Sequence, residues 1–201
     1  MSVEITAAMV KALRDVTGAG MMECKAALKE ANGDQAAALT ILRTRGLAQA
    51  AKKVGRSTSE GVISSYIHMG GKIGVLLEVN CESDFVARTE DFQAMVKEVA
   101  MHIAASAPLY ARREDVPAEV LERERAIYRA QMEASGKPAN VIEKIIEGKV
   151  NAYYEQFVLL DQPSIRDPKI TIGQVVTAAI AKLGENVAIP RFARFKLGET
   201  N

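Results

Sequence analysis

Ile73-Gly74-Val75-Leu76-Leu77-Glu78-Val79-Asn80-Cys81-Glu82-Ser83-Asp84-Phe85-Val86-Ala87-Arg88 holds the change of period on which the fold turns. Up to Val79 the apolar residues alternate, which places Ile73, Val75, Leu77 and Val79 on one face of a strand. From Thr89 onward Phe92, Met95, Val96, Val99 and Ile103 recur at three and four residues, the stripe of an amphipathic helix. Residues 80–88 are therefore a strand-to-helix corner, with the helix covering the strand's apolar face. At that corner an acid, Asp84, stands next to a large ring, Phe85. Burying both in one core is unfavourable, because the carboxylate resists desolvation that the ring favours. Two readings follow: Asp84 caps a helix start while Phe85 tucks beneath it, or both face outward toward a partner.

Upstream, Val62-Ile63-Ser64-Ser65-Tyr66-Ile67 and the strand at 73–79 flank His68-Met69-Gly70-Gly71, the pattern of a β-hairpin. The strands are expected near 61–68 and 72–80. Asn186 to Leu197 reads as a closing strand near 186–197, making a three-stranded antiparallel sheet. His102 borders the helical stripe, where a lone histidine reads as a hydrogen-bonded residue at the core edge.

The N-terminal third is helical. Thr6 is placed to cap a helix carrying Met9, Val10, Leu13 and Val16 that ends at Gly18-Ala19-Gly20. A second helix runs from about Met21 to Ala31, with Met22, Ala26, Ala27 and Leu28 available for packing, and stops at Asn32-Gly33. Asp34 caps a third, which halts near Gly46, and residues 47–54 form a helical tail. Lys52 to Ser59 reads as a linker. The expected division is a three-helix bundle over 1–55 and a core domain over 56–201. Met21 and Met22, beside a glycine loop, serve either as core filler or as an adhesive apolar surface.

After Asp115-Val116-Pro117 a long charged helix carries Val120, Leu121, Ile127, Tyr128 and Met132; Ser135-Gly136-Lys137-Pro138 breaks it. A second carries Val141, Ile142, Ile145, Ile146, Val150, Tyr153 and Phe157. The pair reads as an antiparallel helical hairpin near 115–157. A short extended piece at 158–160 and a helix from Thr171 to Leu183 follow. The fold class is α+β.

The chain has 201 residues, 48% hydrophobic and 25% charged, with a formal net charge of +1. That balance argues against bulk electrostatic attraction to nucleic acid, and the few aromatics argue against a stacking platform for single strands. No apolar run is long enough for a bilayer, and the N-terminus lacks a signal-peptide layout, so a cytoplasmic location without membrane contact is expected. Cys24 and Cys81 stand far apart outside any C-x-x-C pair, and the two histidines add no ligand spacing, so neither a metal site nor a nucleophile with its base is indicated. Gly70-Gly71-Lys72-Ile73 lacks the hydroxyl residue of a phosphate loop. No cofactor and no catalytic residue is expected, and the chain reads as a binding protein more readily than as an enzyme.

Thr17-Gly18-Ala19-Gly20-Met21-Met22-Glu23-Cys24-Lys25-Ala26-Ala27-Leu28 and Glu78-Val79-Asn80-Cys81-Glu82-Ser83-Asp84-Phe85-Val86-Ala87-Arg88, with Met101-His102-Ile103-Ala104-Ala105-Ser106 and Ser135-Gly136-Lys137-Pro138, resemble the bacterial translation elongation factor Ts family over nearly the whole chain. The resemblance implies a ubiquitin-associated-like N-terminal bundle, a core on a small antiparallel sheet and a coiled-coil hairpin. It implies guanine-nucleotide exchange on elongation factor Tu, with Phe85 wedging between helices of that GTPase and Asp84 disturbing its magnesium and phosphate site. Arg14, Met21, Met22 and Lys25 match the family's N-terminal docking positions, and His102 a contact region of its core. Long members duplicate the core within one chain; a single copy is present here, which implies a homodimer. Two other readings remain at this stage: an adaptor binding a ubiquitin-like or ribosome-associated partner through the bundle, and a thiol-dependent enzyme using Cys24 or Cys81.

Overall fold

The computed structural model describes residues 3–133 and 137–199. Ser135 and Gly136 of the expected hairpin break lie outside the described residues.

Three helices open the chain: α1 (Ala7–Thr17), α2 (Met21–Glu30) and α3 (Gln35–Ala51). Their starts follow local chemistry, since Thr6 Oγ1 accepts the Met9 N–H and Asp34 Oδ1 the Ala37 N–H. Val10, Leu13, Cys24, Ala27, Leu28, Ala38 and Leu42 form their shared core. The third helix does not halt at Gly46. It continues to Ala51 and absorbs the expected tail as far as that residue, because Gly46 faces a partner helix at close range: a Cβ there would lie 3.2 Å from the Cβ of Ala181. A mid-helix glycine costs about 1 kcal/mol relative to alanine, and here it admits a second backbone. In consequence α3 gives Leu42 to the bundle core and Ala50 to the main core.

The sheet consists of β1 (Glu60–Ile67), β2 (Ile73–Cys81) and β3 (Val187–Lys196). Its order is β1-β2-β3 and both pairings are antiparallel, with Ser64 opposite Leu77 and Leu77 opposite Phe192. Gly70 and Gly71, both at positive φ, close the hairpin, and the His68 N–H donates to the Ile73 carbonyl. A register irregularity opposite Glu78–Asn80 changes which residues of β3 point inward. Val187 is buried before it and Ile189 within it, and Phe192 packs on the core after it.

Beyond β2 come α4 (Asp84–Ala87) and α5 (Glu90–Ser106). Phe92, Met95, Val96, Val99 and Ile103, the expected stripe, are all buried against Val75, Leu77 and Val79. Completing this core is α8 (Ile172–Leu183), capped by Thr171, whose Oγ1 accepts the Gln174 N–H.

Between them, α6 (Ala118–Glu133) and α7 (Ala139–Phe157) form the hairpin. Ion pairs Arg125–Glu147 and Arg129–Glu143 step in opposite senses along the two helices, as an antiparallel arrangement requires. Of the piece at 158–160 only Val158 is extended. Val158 bridges to Tyr110, and a 3₁₀ turn, Leu159–Asp161, follows. Val158 and Leu159 are fully buried, and the Leu159 N–H donates to the Tyr110 carbonyl, so the chain is drawn inward by packing.

Candidate partner-binding site

The corner after β2 is a capped, outward-facing tip. Ser83, with extended backbone, is the N-cap, and its Oγ accepts the Val86 N–H at 3.4 Å. Asp84 is thus the first residue of α4 and not its cap. A second cap follows at once, where Thr89 Oγ1 accepts the Phe92 N–H and starts α5. Only Ala87 of α4 is buried. Phe85 is 76% exposed, which overturns the reading that tucks it under the helix. Arg88 donates to Asp84 Oδ2 at 2.6 Å, and its guanidinium carbon lies 5.4 Å from the centre of the Phe85 ring.

The second expected contact region lies at the start of α2. Met21 and Met22 are 58% and 76% exposed, so neither fills the core. The inward stripe is Cys24, Ala27 and Leu28, and the small first two let the neighbouring helices close up without a methionine. Glu23 Oε2 accepts the Gly20 N–H at 3.2 Å, holding the glycine loop against the helix start. Arg14 and Lys25 are exposed.

Lys182 of α8 lies against Gly18, where a Cβ would meet its Cε at 2.8 Å, and its Nζ donates to Asp91 in the first turn of α5 at 2.6 Å. One lysine side chain therefore spans from the glycine loop to the helix that follows the tip. A cleft of about 600 Å³ beside it is lined by Gly18, Met22, Leu47, Ala178 and Lys182 among others.

His102 does not belong to this surface. It is fully buried, with Nε2 2.9 Å from Gln162 Oε1 and the Ile165 N–H donating to Nδ1 at 3.4 Å. Gln162 spends its amide hydrogens on the carbonyls of Gln156 and Ser106, so its oxygen faces the ring and Nε2 carries the proton. Burial pushes the imidazole pKa down, partly offset by the Gln162 hydrogen bond and the Glu98 charge. A neutral His102 thus fastens the loop at 163–168 to α5.

Cys24 and Cys81 are both fully buried. Burial first, and then the Glu185 carboxylate, raise the Cys81 thiol above its ordinary pKa, and Sγ donates to the Ser83 carbonyl at 3.1 Å. That is the opposite of an activated nucleophile. Among the described residues no cluster of three or more His, Cys, Asp or Glu side chains is placed to hold a metal ion, and no helix is long and apolar enough to cross a membrane.

Sequence reasoning missed the residues that hold the tip from behind. Glu185 accepts the Ser83 N–H at 3.0 Å and the Ser83 hydroxyl at 2.6 Å. Next to it the Asn186 N–H donates to Glu82 Oε1 at 2.7 Å, with Arg56 3.6 Å from the same carboxylate. The Glu185 and Asn186 contacts join positions just over a hundred residues apart. Locally the only signal is Gly184, the left-handed stop of α8, which turns Glu185 toward β2.

Comparison with known proteins places this geometry in context. The family model described as "Elongation factor TS" matches residues 47–199. An elongation factor Ts of Geobacter sulfurreducens is 58% identical over 195 residues, covering 97% of this chain and 90% of the relative. One from Carboxydothermus hydrogenoformans is 57% identical over the same shares. One from Fervidobacterium nodosum is 58% identical over 196 residues, 98% of this chain and 100% of the relative.

Proposed function

This chain belongs to the elongation factor Ts family, and we propose that it binds the GDP form of elongation factor Tu and expels the nucleotide by seating Phe85 in that GTPase. Membership carries a nucleotide-exchange role in translation elongation. An exchange factor has no reaction of its own and needs no nucleotide site. It needs a surface that binds the GTPase more tightly once the nucleotide has left, since coupling between the two ligands is reciprocal. The observation that carries the reading is the 76% exposure of Phe85 at a doubly capped tip, beside an acid. Seating one phenyl ring is worth about 1.5–3 kcal/mol, and each tenfold weakening of GDP needs about 1.4 kcal/mol. Asp84, released from Arg88 on docking, disturbs the magnesium and phosphate environment.

Docking is shared with the bundle. Met21 and Met22 give an adaptable apolar contact and Arg14 and Lys25 a polar rim, and the Lys182 bridge ties the glycine loop before them to α5, the helix that follows the tip. His102 acts from inside, by holding the loop at 163–168. We divide the chain functionally into the bundle of residues 1–55 and the core of 56–201. Two chains associate through the outer face of the sheet, where Ile63, Ile67, Leu76 and Phe195 are exposed on adjacent strands. An apolar sheet face of this kind marks an association surface, and stacking two such sheets buries both.

The deciding experiment follows release of a fluorescent GDP from elongation factor Tu. This protein accelerates release, and Phe85→Ala, folded to the same degree, loses most of the acceleration. Equal acceleration by the two proteins removes the ring from the mechanism.

A further inference from the structure

A helix of four residues cannot hold itself together. Nucleation is unfavourable, and α4 gains only two or three backbone hydrogen bonds, at 3.0–3.3 Å, with Ala87 alone buried beneath it. Yet the proposed function asks this segment to meet a partner with its side chains already placed. Something outside the segment must supply the order.

We infer that Glu185 is the positioning residue of the Asp84–Phe85 tip, holding it in place through Ser83; the inference rests on the function proposed above. All the polar groups of Ser83 are engaged. Its N–H and hydroxyl both donate to the Glu185 carboxylate, at 3.0 and 2.6 Å. With its hydrogen so directed, Oγ turns a lone pair to the Val86 N–H at 3.4 Å, and the Ser83 carbonyl accepts from Cys81 Sγ at 3.1 Å and from the Ala87 N–H at 3.3 Å. The carboxylate therefore decides the rotamer of the residue that caps α4. Hydrogen bonds to an ionised acceptor are stronger than neutral ones, and a bidentate pair adds direction. Glu185 is itself held firmly, since Gly184 at φ 79 ends α8 on one side and the buried Asn186 is bonded to Glu82 and to the Arg56 carbonyl on the other. The chain thus braces the tip from the α8–β3 corner of the main core. Without that brace the tip samples many orientations, and the cost of ordering it falls on the step that seats Phe85 after the bundle has docked.

The test compares the full chain with Glu185→Ala, Glu185→Gln, Ser83→Ala and the Glu185→Ala/Ser83→Ala double variant, in GDP release from elongation factor Tu and in amide hydrogen exchange. Glu185→Ala is expected to lower the maximal release rate about tenfold, the scale of a lost cap and its charged support. The half-saturating concentration, set by the bundle, stays near the wild-type value. Glu185→Gln keeps one acceptor oxygen for the Ser83 N–H and offers its amide N–H to Oγ, so it restores part of the rate without reaching wild type, and the double variant is no slower than the slower single one. In Glu185→Ala the Val86 and Ala87 amides exchange about tenfold faster, with Leu77 and Val79 of β2 unchanged. Wild-type protection at Val86 and Ala87 in Glu185→Ala overturns the inference, as does faster exchange spread equally into β2. So does wild-type release by Glu185→Ala beside slow release by Phe85→Ala, an outcome that leaves the ring's own role standing. Conversely, fast tip exchange in Glu185→Ala with normal release by both variants upholds the brace and removes the function assigned to the ring.

Discussion

Arg88 Nη2 donates to Asp84 Oδ2 at 2.6 Å, one helical turn away, and the same guanidinium lies over the Phe85 ring. In the free protein the tip's negative charge is therefore already neutralised, by a partner that is itself largely exposed. An exposed pair of this kind is worth no more than about 1 kcal/mol. Arg88→Ala is expected to leave urea stability within that range. In GDP release the order of loss is Phe85→Ala first, Asp84→Ala second and Arg88→Ala least, because only the ring carries a large differential burial. A loss from Arg88→Ala equal to that from Phe85→Ala contradicts the ordering.

The outer sheet face predicts an assembly state. Ile67, Gly74 and Phe195 lie side by side across the three strands, and Leu76 pairs with Ala193. Leu76→Glu combined with Phe195→Glu places charge on that face without touching the main core. The wild-type chain should sediment as a dimer at micromolar concentration and the double variant as a folded monomer. A wild-type monomer under those conditions refutes the association.

Gly61 is a test of the hairpin. At φ +143 it takes a backbone conformation that side chains rarely adopt, and a Cβ would lie 2.2 Å from the Val79 carbonyl oxygen and 2.7 Å from the Asn80 Cα. Backbone atoms of a paired strand cannot step aside as a flexible side chain does. Gly61→Ala should cost about 2 kcal/mol or more in urea unfolding. A change within half that size shows that β1 shifts freely.

His102 links stability to pH. Burial lowers its pKa in the folded state, so below the ordinary value of 6.5 the unfolded chain binds a proton that the folded chain does not. The stabilisation is thus complete above 6.5 and falls as pH drops toward the folded-state pKa. Wild type is expected to lose more melting temperature than His102→Gln between about pH 7 and pH 5. Parallel losses in the two proteins assign the acid sensitivity elsewhere.

Periodicity and cap chemistry made most of the elements legible. Thr6, Asp34 and Thr171 cap the helices at which they stand, and the stripe from Phe92 to Ile103 faces the alternating residues of β2. These are local rules, decided within one or two turns of chain. Gly46 was misread because its reason is not local: the propensity cost is offset by Ala181, contributed by a helix far along the sequence. Leu159 and Leu160 likewise leave the expected extended form for a 3₁₀ turn, since apolar residues without a clear period take whatever backbone their burial demands.

For the candidate site the division is sharper. By itself the sequence determined that an acid and a ring stand together at a strand-to-helix corner, and that two methionines follow a glycine loop. Only the tertiary structure decided that Phe85 faces outward and His102 inward, that Lys182 joins the glycine loop to the first turn of α5, and that Glu185 grips Ser83. The physical reason is that side-chain direction and long-range hydrogen bonds are settled by the packing of whole elements, which no short window of residues contains.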